Sequence, residues 1–432
     1  MELRNHTRFP HFRFSNLDAE GREFGVHMAK VAWDIRDDGT CVLSDEQEPF
    51  AFDDEPHGEV NLSSVRYPSD FVPFKPKLDL VLDAVAHAPN GEPASEWTSG
   101  VRLLDEAGNV LVEKLVRVTG PRCWRPLWKR ELTEDQATSW PDHRHWFDRW
   151  ALDEPEAVFS LPIRYEHAFG GTMARGTDDE GEPVIEAFER NPLGCGWIDP
   201  EATDHTRPVP APRIEDPNDP VRDPYATYAP QGLGPTPPAW LPRRPLGGTY
   251  DQAWIDAGTS RWASDYDFEF HCSSHPDLRH ADVPRGPLRI QLLNLHPVQR
   301  VWEIQLPDAA LACALGTGSD VGIVRMRPDT LFLDIGEAAG DDPRILQMWR
   351  MPFDPIEVRD LTLFELSDTD EQWLASQAGA PSIRRPPHPH DVAVHTFSGD
   401  DGAGVEPECV EDVADGGTAP AEARSRPVGE NA

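Results

Sequence analysis

The sequence predicts a mainly-β protein: antiparallel, sandwich-like sheets, few short helices, a long ordered coil rich in proline and glycine, and a disordered acidic C-terminal tail. Three observations lead there. Apolar residues come in short, often alternating runs bounded by turn residues, the period-2 signature of half-buried strands. Proline reaches 44 residues, about twice its usual share of roughly 5%. Helical periodicity is scarce, as frequent proline and glycine require.

Taken in order, "LDLVLDAVAHA" (78–88) is a strand. "SGVRLLDEAGNVLVEKLVRVTG" (99–120) is two strands around an Asp-Glu-Ala-Gly-Asn turn. "LRIQLLNLHPVQRVWEIQLP" (288–307) repeats the hairpin pattern. "VGIVRMRPDTLFLDIGE" (321–337), "RILQMWRMPF" (344–353) and "PIEVRDLTLFELSD" (355–368) supply the remaining strands. Two short helices are expected: 249–258, with a polar start and a terminal glycine, and 367–379, with an N-cap cluster, acidic first turn and closing glycine.

The chain divides into an N-terminal β domain (1–150), a second mainly-β domain (151–380) and the tail (381–432). The second domain contains a proline-dense stretch at 198–245. That stretch either wraps over the body as ordered coil or forms a mobile lobe; the tryptophans and glycines at its ends favour the ordered coil. After residue 380 the composition turns to proline, glycine, alanine and acid, too poor in apolar residues to fold alone.

The charge balance narrows the partners. Forty basic residues against 76 acidic ones give −36, which repels nucleic acid and anionic lipid. The scarcity of lysine favours reading it as a solvated acidic surface shaped by the host's salt or genome composition, with selectivity for basic partners as the other reading. Lysine occurs only at Lys30, Lys75, Lys77, Lys114 and Lys129. The charged N-terminus "MELRNHTRFPHFRF" has no apolar core of a secretory signal, and no run approaches the roughly 18 apolar residues of a membrane span. A cytoplasmic protein is expected, with its six scattered cysteines as free, mostly buried thiols.

Catalytic signatures are few. No nucleophile elbow, zinc-protease helix motif or phosphate loop is present, and "GTGSDVG" (316–322) departs from dinucleotide spacing and suits a hairpin turn. Three histidine groups could suggest metal: His143 and His145 near Asp142 and Asp148; His271, Cys272 and His275 with His280 nearby; His388, His390 and Asp391. None offers a closed ligand set, so no metal and no cofactor is expected. In "YEHAFGG" (165–171), a strand over 165–169 would put Tyr165, His167 and Phe169 on one face and Glu166 on the other. Glu166 and His167 would then diverge, leaving them to bond loop backbone rather than act as a dyad, and no catalytic residue is assigned.

The ordered motifs resemble a known family. "DFVPFKPKLDLVLDAVAHAP" (70–89), "YEHAFGG", "NPLGCGW" (191–197), "RIEDP" (213–217) and "GLGP" (232–235) come first. They are followed by Trp240, "GGTYDQAW" (247–254), "DYDFEF" (265–270) and "MWR" (348–350). Together, over roughly residues 15–365, they resemble the domain-of-unknown-function family 2169, associated with bacterial type VI secretion. The resemblance implies an effector adaptor, or chaperone. Such a protein binds a toxin effector in the cytosol, often one with a PAAR-type tip, and helps load it onto the VgrG spike. It implies no catalytic residues; the charge balance and the absence of a long apolar run add the expectation of no nucleic-acid and no membrane partner. "HCSSHPDLRHADVP" (271–284) departs from the more apolar family version, and an acidic tail stands where some members carry pentapeptide repeats. The candidate partner-binding residues are Tyr165, Glu166, His167, Asn191, Trp240, Tyr250, Asp251 and Trp254. Two other readings stand beside this one: a hydrolase or metal-dependent enzyme using Glu166 and His167, and a structural or carbohydrate-binding β-module using the tryptophans.

Overall fold

The computed structural model describes residues 2–389 apart from 19–20, 131–132, 134, 137–142, 257, 259–261, 282–285, 318–319, 341, 368–371, 373–382, 385–386 and 388. These residues lie within one compact unit, Met1–Phe397. The fold is mainly β, with several antiparallel sheets, as its alternating runs predict.

The largest sheet runs, in spatial order, Ser160–Pro162, Leu78–His87, Arg327–Ile335, Arg344–Phe353, Glu23–Ile35 and His11–Leu17. Strands from both sides of residue 150 therefore share it. Neighbours are antiparallel except for Leu78–His87 and Arg327–Ile335, which run parallel. Both faces of this sheet are covered, which explains its near-continuous apolar strands. On Leu78–His87, Leu80, Leu82 and Ala84 join the main core, while Val81 packs on the other face with Tyr67 and Phe332.

A five-stranded antiparallel sheet contains both predicted hairpins: Glu96–Leu104 with Val110–Thr119, and Leu288–Leu293 with Val301–Leu306. The first turn is tied by Asp105, whose carboxylate accepts the Asn109 N–H at 2.7 Å. Leu288, Ile290 and Leu292 point inward and meet Leu331, Leu333 and Trp349 of the large sheet in one core cluster, so the two sheets pack as a sandwich. The third large sheet joins Glu2–Asn5, Asp360–Glu365, Leu311–Thr317, Asp320–Arg325 and Ile383–Arg384. The segment expected as strand over 321–337 is thus split between two sheets at Met326.

The proline-rich stretch is ordered coil wrapped on the body. Val209–Pro210 pairs with the Cys123–Trp124 edge and Ile214–Glu215 with Arg117–Val118. Ile198, Ala211, Val221 and Tyr228 bury against Trp124, Trp150 and Phe169. The helix expected over 249–258 shortens to Gln252–Asp256. The helix expected over 367–379 and almost all of the tail fall outside the described residues.

Candidate functional site

The strand expected over 165–169 is instead a single 3-10 turn, Tyr165–His167, followed by a two-residue strand, Phe169–Gly170. The sheet strand Ser160–Pro162 has ended, and the chain closes on itself: the His167 N–H donates to Arg164 O (3.0 Å) and the Ala168 N–H to Tyr165 O (3.1 Å). The side chains therefore fan out instead of alternating. Tyr165 turns inward, 3% exposed, with its ring edge-on to Trp240 at 5.3 Å. Burial pushes its phenol pKa up.

Glu166 reaches across to a loop 102 residues earlier in the chain, where its two oxygens accept the Ser64 N–H (2.8 Å) and Ser64 Oγ–H (2.7 Å). Burial raises its pKa, but these two donors outweigh that and hold the carboxyl below its ordinary value. The His167 main-chain carbonyl accepts Arg213 N–H at 2.8 Å. Its half-buried imidazole is lowered to about 4 by burial and then by the Arg213 charge. At neutral pH Glu166 is ionised and bonded, and His167 is neutral.

Asn191, fully buried, joins the two halves of the motif pair. Its side-chain amide N–H groups donate to Tyr165 O (2.8 Å) and Phe169 O (3.1 Å), and its main-chain carbonyl accepts Gly171 N–H (2.9 Å). Phe169–Gly170 then pairs parallel with Cys195–Gly196. Gly170 has φ of +152°, and a Cβ there would overlap the Asn191 carbonyl. Glycine is required at that position. Tyr165, Glu166, Asn191 and Trp240 thus fasten the 3-10 turn to the coil and loops around it.

The other three candidates meet on an exposed turn. Asp251 accepts Trp254 N–H at 2.9 Å, and Tyr250 stands edge-on to Trp254 at 4.8 Å. Tyr250 is 48% exposed and the neighbouring Ile255 56%. The Asp251 cap and the 250/254 spacing bring the two rings together.

The histidine–cysteine group does not converge. His271 bonds Tyr266 and is lowered to about 3 by burial, while burial pushes the Cys272 thiol up to about 12. His275 accepts Asp277 N–H at 3.2 Å and faces Lys114. Among the described residues no three His, Cys, Asp or Glu side chains gather as a metal-holding group.

Sequence reasoning missed one polar cluster. Asp83 and Asp334 stand opposite each other on the parallel strand pair. Arg66 reaches Asp334 at 3.1 Å and Asp83 at 3.6 Å, and His57 lies 3.8 Å from Asp83. Burial raises the Asp83 carboxyl, and the Asp334 charge raises it further, to about 6. The available signal was a lone acid inside each apolar run, "LVLDAV" and "LFLDIG". A cavity of about 30 Å³ beside Phe169, Tyr228 and Gln231 has room for a water and is far below substrate size.

These features define a mainly-β scaffold in which Tyr165, Glu166, Asn191 and Trp240 act as fasteners while Tyr250 is exposed on a turn. The chain belongs to the family described as an uncharacterized protein conserved in bacteria (DUF2169), whose model matches residues 20–350. None of the curated proteins and none of the solved structures compared with it matches.

Proposed function

We propose that the chain is a type VI secretion effector adaptor, which binds a toxin effector in the cytoplasm and assists its loading onto the VgrG spike through a PAAR-type tip. Family membership over residues 20–350 supports the reading. The structural observation that carries it is the division of labour among the candidates. The polar motif residues are occupied in holding the Tyr165–His167 turn to neighbouring loops, whereas Tyr250 and Trp254 present aromatic surface of the kind that anchors protein interfaces. No helix among the described residues is long and apolar enough to cross a membrane. Co-expression with the effector encoded beside this chain tests the proposal: stable co-purification is expected, and loss of effector delivery on deleting the adaptor.

The Tyr250–Trp254 pair also suits a carbohydrate-binding module, since a solvent-facing ring such as that of Tyr250 accepts a sugar face. Glycan binding abolished by Trp254→Ala would favour that reading. An enzyme using Glu166 and His167 would have to work with a carboxylate committed to Ser64 and an imidazole that protonates only near pH 4. Turnover abolished by His167→Ala at unchanged stability would support it.

A further inference from the structure

His11–Leu17 is the outermost strand of the large sheet, and none of the described strands pairs with its outer side. Its pairing with Glu23–Ile35 fixes which groups face outward. The Lys30 N–H bonds Pro10 O, so positions 10, 12, 14 and 16 direct their main-chain groups toward the neighbour. Those of His11, Arg13 and Ser15 point away from the sheet. Natural proteins usually cover or blunt such an edge.

This edge carries Arg13 on one face and aromatic surface on the other. Phe12 and Phe14 lie on one face of the strand, and Phe71 packs against both, at 5.2 and 5.7 Å between ring centroids. Phe52 stacks flat on Phe71 at 4.3 Å while 67% exposed, and Phe12 is itself 39% exposed. Phe14 links this group to the buried aromatic layer around Phe24 and Phe268. Among the described residues the patch is therefore the exposed end of an otherwise covered sheet face. The loop that supplies Phe50 and Phe52 also carries the exposed carboxylates Asp45, Glu46 and Asp53.

The geometry points to this edge as a docking site for an extended segment of a partner protein, one with apolar residues at alternate positions and lysine or arginine flanking them. Three complementarities specify that occupant. Outward main-chain groups take a strand by hydrogen bonding. The Phe12–Phe71–Phe52 surface takes alternate apolar side chains. The acidic loop, in a chain of net charge −36, takes the basic flanks. The inference rests on the adaptor reading for the source of the segment, the bound effector, but not for its chemistry.

The test uses the full chain and a labelled synthetic peptide with leucine at alternate positions, serine between them and lysine at both ends. A counterpart ending in glutamate and one with clustered leucines serve as controls. Saturable binding of the lysine-ended peptide is expected, with each control about tenfold weaker or worse and the charge preference shrinking as salt rises. Phe52→Ser, on an exposed ring, and Ser15→Pro, which removes an outward N–H, should each weaken binding by about tenfold. The proposal is overturned if the lysine-ended peptide does not bind, if Phe52→Ser binds it as tightly as wild type, or if the glutamate-ended peptide binds equally well. A wild-type dimer dissolved by the same substitutions would assign the edge to self-pairing and also overturn it. The same variants then enter co-purification with the neighbouring effector. Equal capture by wild type and Phe52→Ser rejects this surface and leaves the adaptor reading standing; no capture by wild type rejects the adaptor reading.

Discussion

Replacing Asn191 by leucine tests whether the two halves of the motif pair are held by one amide. In the native chain the Asn191 amide donates to Tyr165 O at 2.8 Å and Phe169 O at 3.1 Å. Leucine has the same branched outline, slightly larger, and donates nothing. The Tyr165 carbonyl keeps the Ala168 N–H as a donor, so its loss is about 1 kcal/mol. The Phe169 carbonyl is left inside the fold without its amide donor, at a cost of about 1–3 kcal/mol. Against this, Asn191 Oδ1 is itself buried without a hydrogen-bond partner, and removing it recovers about 1 kcal/mol. The expected net loss is about 2 kcal/mol. Urea titration followed by tryptophan fluorescence measures it, and faster proteolysis within 198–245 should accompany it. Asn191→Asp should cost more at pH 7 than at pH 5, because a carboxylate would then face two carbonyl oxygens. A loss below about 0.5 kcal/mol for the leucine variant, or no pH dependence for the aspartate variant, would refute the fastening role.

Three further outcomes are expected. Gly170→Ala, at φ of +152° and against the Asn191 carbonyl, should destabilise by about 3 kcal/mol or prevent folding, as read by thermal melting. Asp83, 6% exposed, has its folded pKa raised from 3.8 to about 6. The folded state thus holds that proton more tightly, and stability falls as pH rises from about 4 to about 6, by about 3 kcal/mol in all. Asp83→Asn should remove that fall relative to wild type in melts across this range. His27, fully buried beside His11, is lowered to about 3 by burial. Its contribution is complete above about pH 6.5 and is lost as pH falls, by about 2 kcal/mol at pH 5. His27→Leu should flatten that acid-side loss in the same melts.

Much of the fold was legible because its strands are made by local pattern. "LRIQLL" alternates inward Leu288, Ile290 and Leu292 with outward polar groups, and the Asp105–Asn109 turn sets its hairpin by a five-residue signal. The proline-rich stretch was legible as ordered coil through the residues at its ends, and Trp240 does pack against Tyr165. What was hidden depends on partners distant in sequence. "YEHAF" has the alternation of a strand, yet among the described residues no strand pairs with Tyr165–His167, and the Asn191 amide holds the Tyr165 carbonyl in a turn. The parallel pairing of Leu78–His87 with Arg327–Ile335 has no connecting turn to announce it, so neither did the Asp83–Asp334 pair that follows from its register. The Tyr250–Asp251–Trp254 arrangement could be anticipated from capping alone, whereas the Phe12, Phe52 and Phe71 rings meet only through tertiary packing.

The most direct test of the adaptor proposal is capture of the effector encoded beside this chain by the full chain, alongside Trp254→Ala. The proposal predicts a stable complex with wild type, weakened by about tenfold or more in the variant at unchanged unfolding midpoint, and failed delivery when the adaptor is deleted. An effector that never co-purifies, and is delivered normally without the adaptor, would contradict it.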